Sequence, residues 1–359
     1  MARERIVSGN PTPEDAPDRF APALRPRKLD EYIGQPDLIE KIRIGVAAAK
    51  LRNEPMEHVL LSGPPGLGKT TLAYIIAEEL NGNAPKITSG PALVKPGDLV
   101  GLLTNLRRGD VLFIDEIHRL STVVEEYLYP AMENYQIDVV MDSGPHAQSM
   151  NIPLQPFTLI GATTRTGLIS GPMRSRFGIA HHLNYYTTAE LFRIVERSAK
   201  LLDMLADRDS MEQIAARSRG TPRVANRLLR RVRDFAAVKG HGQLTRAVLE
   251  QALALEGIDS LGLDPLDRRF LATLVRDYEG GPAGVEALAA TMGEERDTLE
   301  DVVEPFLLQI GFIRRTPKGR QMTPAAYQHL GIKPPPPAVG TQSKEGADET
   351  LEGGEERLF

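Results

Sequence analysis

The sequence predicts an α/β fold, a parallel-sheet domain followed by two smaller, mainly helical units, on three observations. An apolar run, Val59-Leu60-Leu61, passes through the glycine-rich turn Gly63-Pro64-Pro65-Gly66-Leu67-Gly68-Lys69-Thr70-Thr71 into a stretch with helical spacing, Leu72 to Leu80. A second apolar run, Val111-Leu112-Phe113-Ile114, ends in two acids, Asp115-Glu116. Four consecutive apolar residues suit a strand buried on both faces of a parallel sheet. From Thr187 onward the apolar residues fall at helical spacing instead.

Composition narrows the function classes. At 359 residues the chain exceeds one ordinary core, and 41% hydrophobic with 25% charged residues is a globular composition. The absence of cysteine excludes disulfides, Cys-ligated zinc or iron–sulfur sites and a thiol nucleophile. No apolar run reaches membrane-spanning length, and Met1 to Ile6 lacks the apolar core of an export signal. The expected location is therefore cytoplasmic, with no membrane partner. A net charge of −5 leaves nucleic-acid contact to a local basic patch.

Residues 1–20 are polar and proline-rich, expected as a flexible arm. The large domain, expected over 21–183, opens with a helix whose buried face is Leu38, Ile39, Ile42 and Val46. In the glycine turn, Gly66 and Gly68 let backbone N–H groups face phosphate oxygens, and the following helix N-terminus adds favourable partial charge. Lys69 is placed to reach the terminal phosphates and Thr70 to ligate Mg²⁺. At the second strand's end Asp115 suits Mg²⁺ and Glu116 an attacking water. Thr122 with Glu125 reads as a capping box for a helix running towards Met132 and kinked at Pro130. Gln136 to Asp142 and Ser149 to Ile152, flanking Ser143-Gly144-Pro145-His146, read as a hairpin, and an exposed apolar face there would be a docking surface.

Phe157 to Thr164 is a third core strand ending in the hydroxyls of Thr163 and Thr164, which suit the attacking water or the terminal phosphate. The next loop carries Arg174 and Arg176, either of which suits a guanidinium offered to the γ-phosphate of a neighbouring subunit. A helical unit over 184–256 follows, with Thr187 and Glu190 as a capping box and Thr221-Pro222 as N-cap and N1. Arg223 in that first turn opposes the helix dipole, so its presence asks for an anion.

A third unit over 257–333 starts at Asp264-Pro265. Its three helices precede a short hairpin, Gly311 to Thr323, which together predict a winged helix. The helix that would enter a DNA groove carries Glu294, Glu295, Asp297, Glu300, Asp301 and Glu304 against Arg296 alone. Acids against phosphates lose counterion release. The hairpin gathers Arg314, Arg315, Lys318 and Arg320, so duplex contact is expected there, to backbone and without sequence preference. Residues 334–359, proline-rich and then acidic, are expected to be a disordered tail without a site.

Together, Ser62 to Thr71, Asp115 to Leu120, Gly161 to Arg165, Arg176 to Ile179, Gly220 to Arg227, and Gly311 to Ile313 with Arg315 to Pro317 resemble the AAA+ ATPases. Within them they resemble the RuvB family of Holliday-junction branch-migration motors. The resemblance spans about residues 20 to 333. It implies a P-loop parallel-sheet ATPase domain, a helical lid and a winged-helix head, with ATP and Mg²⁺ as ligands. It also implies a homo-hexameric ring on duplex DNA, a RuvA partner docked on the hairpin at 136–152, and a RuvC resolvase in the wider complex. By similarity, Leu24 and Arg25 face the base side of the nucleotide, Lys69, Thr70 and Thr71 hold phosphate and Mg²⁺, and Tyr186 and Arg223 close over ATP. Arg176, which directly precedes Phe177-Gly178, takes the trans role. Glu133-Asn134-Tyr135 matches a nucleotide-contact segment in which the family has an acid where Asn134 stands. Arg315 and Arg320 match DNA-contacting arginines of the wing. Two other classes compete, a related machine that remodels protein or loads a DNA-bound assembly, and a nucleotide-switched scaffold. The basic wing argues against the first and Glu116 against the second.

Overall fold

A computed structural model describes residues 21–140 and 149–333. The expected arm (1–20), the turn of the hairpin including Met141 to His146, and the acidic tail lie outside the described residues. A short turn of helix, α1 (Ala21–Leu24), and α2 (Pro36–Arg52) lead into β1 (Val59–Ser62), α3 (Lys69–Asn81), β2 (Lys86–Ser89), α4 (Pro96–Thr104), β3 (Val111–Asp115) and α5 (Thr122–Asn134). The hairpin strands β4 (Gln136–Val140) and β5 (Ser149–Pro153) precede β6 (Thr158–Thr163), α6 (Gly171–Arg174) and β7 (Ile179–His182).

The core sheet is parallel, ordered β2-β3-β6-β1-β7, with Ser62 level with Thr163 and Ser89 level with Asp115. Sequence order is broken between β1 and β3 by β6, so the carboxyl ends of all three strands open on one crevice. The three central strands are buried throughout except Asp115, as their continuous apolar runs require. Two layers cover the sheet. One contains Ile42, Leu72 and Ile76; the other contains Leu99, Leu128 and Phe157.

Local signals hold with two adjustments. Gly82 ends α3 at φ 71°, the left-handed position that suits glycine. The cap of α5 is Ser121, whose hydroxyl accepts from the Val124 N–H, and Thr122 is the first helical residue. Glu125 is drawn off by the Ser170 and Tyr129 hydroxyls instead of closing a box. In the hairpin, Ile137 is fully buried opposite Ile152, and Val139 packs half-buried against the core opposite the exposed Met150. The base of the hairpin therefore belongs to its own domain.

The second unit comprises α7 (Thr188–Leu201), α8 (Arg208–Ala216), α9 (Pro222–Lys239) and α10 (Arg246–Leu255), joined by a two-residue parallel pair, β8 (Leu205–Ala206) and β9 (Gln243–Leu244). Both capping motifs form, Thr187 with Glu190 and Thr221 with the Val224 N–H. The third unit has α11 (Pro265–Tyr278), α12 (Val285–Met292), α13 (Arg296–Thr298) and α14 (Glu304–Gln309), then β10 (Ile313–Thr316), β11 (Gly319–Met322) and α15 (Pro324–Leu330). The single acidic helix expected here is broken: a π turn, Leu299–Val303, separates α13 from α14.

Arg219 locks the second unit to the third. Its guanidinium lies 2.7 Å from Asp264 and 2.6 Å from Asp267, and its Nε donates to the Gly262 carbonyl. Burial pushes Asp267 up to about 7 from an ordinary 3.8, with Arg219 pulling it down and Asp264 adding to the push. A carboxyl raised on folding contributes stability that is complete below its unfolded value and lost as pH rises through its folded value. Wild type should therefore lose roughly 2–4 kcal/mol relative to Asp267→Asn as pH rises through that window. Thermal melts of both proteins at pH 5 and pH 8 measure it; a stability gap independent of pH is the contrary result.

Candidate nucleotide and DNA sites

β1 delivers the phosphate loop and α3 continues it, with Gly68 at the N-cap and no acid in the first turn to compete with a bound anion. Gly66 has φ 81° and an added Cβ would stand 3.0 Å from the Cβ of Arg223, so only glycine fits between loop and lid. The buried Lys69 ammonium donates to the Gly63 carbonyl at 2.7 Å and the Pro64 carbonyl at 2.9 Å. Burial lowers its pKa while Asp115 and Glu116 pull it up, which places all three charges in one field. Thr70 and Thr71 sit half-buried in the helix's first turn.

Asp115 ends β3 and Glu116 follows at φ 45°, a left-handed conformation that costs a non-glycine residue on the order of 1–3 kcal/mol. That turn aims the Glu116 carboxylate across to β6. There its Oε2 accepts from the Thr164 hydroxyl at 3.1 Å and the Thr164 N–H at 3.3 Å, with His118 Nδ1 also 3.1 Å away. Burial lowers the His118 pKa despite the neighbouring Glu116. Thr163 is fully buried; its hydroxyl is 2.9 Å from His118 and accepts from the Arg165 N–H. The hydroxyl that touches Glu116 is thus that of Thr164. Thr163 acts one layer behind it, and His118 joins the site without having been expected there. Alternation along β6 is the signal: Thr163 points into the sheet's cover and Thr164 begins the exit.

Among the described residues no group of three or more acidic or histidine side chains forms a metal cage. One hydroxyl (Thr70) and one carboxylate (Asp115) beside a phosphate loop nonetheless fit Mg²⁺, which keeps waters and substrate phosphates as ligands.

Arg25 stacks on Tyr74 of α3 at 4.1 Å, and the carbonyl of the buried Leu24 accepts from Arg197 of α7. The Tyr186 and Tyr32 hydroxyls lie 2.8 Å apart, 3.2 and 3.4 Å from the Leu67 carbonyl of the phosphate loop. Burial pushes the Tyr186 phenol up to about 12, so it stays a neutral donor. A cleft of about 310 Å³ adjoins them, lined by Ile33, Pro36 and Ile39 from one domain and Glu190 and Arg193 from the other. These residues carry no compact motif and were not anticipated. Arg223 is exposed, and its backbone N–H donates to the Gly66 carbonyl, which seats the α9 N-terminus on the loop.

Arg176 belongs to another cluster. Its guanidinium stacks 4.1 Å above the Tyr129 ring, donates to the Pro172 carbonyl and lies 3.1 Å from Glu133 of α5. Glu133 and Asn134 are exposed and Tyr135 half-buried, so the expected contact segment and Arg176 share one face. Arg174 is exposed in the same loop.

In the wing, Arg315 and Arg320 are cross-strand partners. Both pair with Glu304, a fully buried carboxylate at the start of α14, at 2.7 and 2.5 Å. The Arg315 side chain is 56% exposed against 15% for Arg320. The outer basic surface is therefore Arg314, Arg315 and Lys318, with Arg320 beneath it.

Three family models match consecutive stretches of this chain: the Holliday junction DNA helicase RuvB P-loop domain over 24–183, the RuvB AAA lid domain over 186–259 and the RuvB C-terminal winged helix domain over 260–331. The Holliday junction branch migration complex subunit RuvB of Myxococcus xanthus is 54% identical over 342 residues, 95% of this chain and 99% of that protein. The structure of the Thermotoga maritima RuvB Holliday junction branch migration motor superposes with a TM-score of 0.80 at 51% identity, covering 87% of this chain and all of that one. A point mutant of it gives 0.81 at 51% identity, covering 87% and 99%. Matched along its ATPase, lid and winged-helix portions alike, the chain belongs to the RuvB family.

Proposed function

We propose that this chain is the ATP-driven motor that promotes branch migration of Holliday junctions in recombination and repair, with an ATPase domain over 21–183, a lid over 184–256 and a DNA-binding head over 257–333. The observation that carries the reading is the separation of two half-sites on one protomer. Lys69 and Glu116 stand at the crevice, while Arg176 is held by Glu133 and Tyr129 on another cluster. A chain whose Arg176 pairs with Glu133, Tyr129 and Pro172 instead of its own phosphate loop is complete only beside a second copy, and repetition of that contact closes a ring, here a homo-hexamer.

Lys69 exchanges the Gly63 and Pro64 carbonyls for phosphate oxygens, and Arg223 and Tyr186 close from the lid. Glu116, braced by Thr164 and His118, orients the attacking water and takes up its proton. Thr70 and Asp115 would hold Mg²⁺, which neutralises charge on the transferred phosphoryl group. Arg176 of the adjacent subunit meets the γ-phosphate. The hairpin at 136–152, on which Met150 is 47% exposed, docks RuvA, and RuvC acts in the wider complex. No helix among the described residues is long and apolar enough to cross a membrane.

The test is ATP turnover with and without duplex DNA, beside migration of a synthetic four-way junction. Duplex-stimulated turnover and junction movement are expected; indifference to DNA would refute the reading. Wing variants should separate two roles. Arg315→Ala lowers duplex affinity evenly across sequences and reduces the salt slope by about one. Arg320→Ala leaves Glu304 short of a partner and destabilises the head by roughly 1–3 kcal/mol. Fluorescence anisotropy over a salt series and thermal melts distinguish them.

A further inference from the structure

The acids that bar the α13–α14 segment from a DNA groove have another partner. Arg165, directly after Thr164 at the end of β6, reaches out of the ATPase domain into the head. Its Nη2 lies 3.0 Å from Asp301, 3.3 Å from Asp297 and 3.6 Å from Glu300. Glu300 shares its other oxygen between Arg320 of the wing and Arg296, each at 3.2 Å, and Arg320 in turn shares Glu304 with Arg315. Behind Arg165, the Thr164 N–H and hydroxyl hold Glu116. Contacts are thus continuous from the water-orienting carboxylate to the wing. They pass through the π turn at Leu299–Val303, where the helix departs from regular winding and presents Glu300 and Asp301 to Arg165.

We propose that Arg165 is a positioning residue that couples DNA binding on the wing to the setting of Glu116. The proposal rests on the reading of the chain as a DNA motor. Its direction follows from charge. Phosphates that engage the exposed Arg315 draw its guanidinium off Glu304, and Arg320, which shares Glu304, swings from Glu300 towards the freed carboxylate. Glu300 then turns its charge on Arg165, the bridge tightens, and the 163–165 backbone that holds Glu116 is fixed. The bridge has the strength a switch needs. Arg165 and Asp301 are 34% and 38% exposed, so each pair is screened and weak, yet three carboxylates converge on one guanidinium.

The test uses full-length protein and compares duplex-stimulated with basal ATP turnover in wild type, in Asp297→Asn/Asp301→Asn, and in the charge exchange Arg165→Asp/Asp301→Arg. The double Asn variant touches neither nucleotide nor wing, so its basal rate should stay at the wild-type level while the stimulation ratio falls at least about fivefold, the low end of typical couplings. The exchange should recover most of the ratio. A wild-type ratio that the Asn variant keeps would overturn the coupling and leave the motor reading standing. A lowered ratio that the exchange fails to raise would assign the effect to lost packing, and overturn it too. Wild type without duplex stimulation would remove both.

Discussion

Arg176→Ala should lower ATP turnover of the assembled protein by about 10³-fold or more, the range expected for a guanidinium that meets a transferred phosphoryl group, while the protomer that carries it binds ATP as wild type does. Binding is spared because Arg176 contributes nothing to its own phosphate loop, lid or base cleft. Its partners are Pro172, Glu133 and Tyr129. The side chain nevertheless has a resting place in the free chain, stacked on an aromatic ring and paired with a carboxylate. Reaching a neighbour's γ-phosphate means leaving Glu133 for a more highly charged anion, so the exchange is favourable only where that anion is present. Arg176→Lys keeps the charge but loses the planar fork and the stacking, and should recover little activity. A binding titration with a fluorescent ATP analogue alongside a steady-state assay separates the two effects. Loss of binding in step with turnover would place Arg176 in its own site and end the trans assignment.

Much of this arrangement was legible in the chain itself, for a physical reason. The phosphate loop, the Asp115-Glu116 strand end and the caps at Thr187, Thr221 and Asp264 are local: spacing of a few residues sets both the motif and its structure. The edge strands β2 and β7 were missed because they are half exposed and lack a continuous apolar run. Ser121 rather than Thr122 caps α5, and Glu125 turns to Ser170, which the tertiary fold brings alongside. The charge of the acidic segment argues against a DNA groove but names no partner for it; its pairing with Arg165, more than a hundred residues away, is a product of the fold. Buried Glu304 beneath the wing is of the same kind, and it holds Arg320 beneath the outer basic surface.

Glu116→Gln should lower turnover by roughly 10²–10⁴-fold, the usual worth of a positioned general base, with the site's geometry retained. Glutamine has the same reach, and its carbonyl oxygen can take the place of Oε2, accepting from Thr164 and lying beside His118, so the left-handed turn at position 116 stays braced. What disappears is the negative charge that takes the water's proton. Lys69 and Thr70 remain, so ATP should be held without being cut, and rings should persist long enough on duplex to image by negative stain. This variant also tests Arg176. In a ring mixed from Arg176→Ala and Glu116→Gln protomers, an Arg176→Ala subunit keeps its own Glu116 and receives Arg176 from a Glu116→Gln neighbour, which makes one intact site. Neither protein alone turns over, so activity that peaks at intermediate mixing ratios requires a site built from two chains. Silence at every ratio, with mixed rings shown to form, would mean that cleavage is completed within a single protomer.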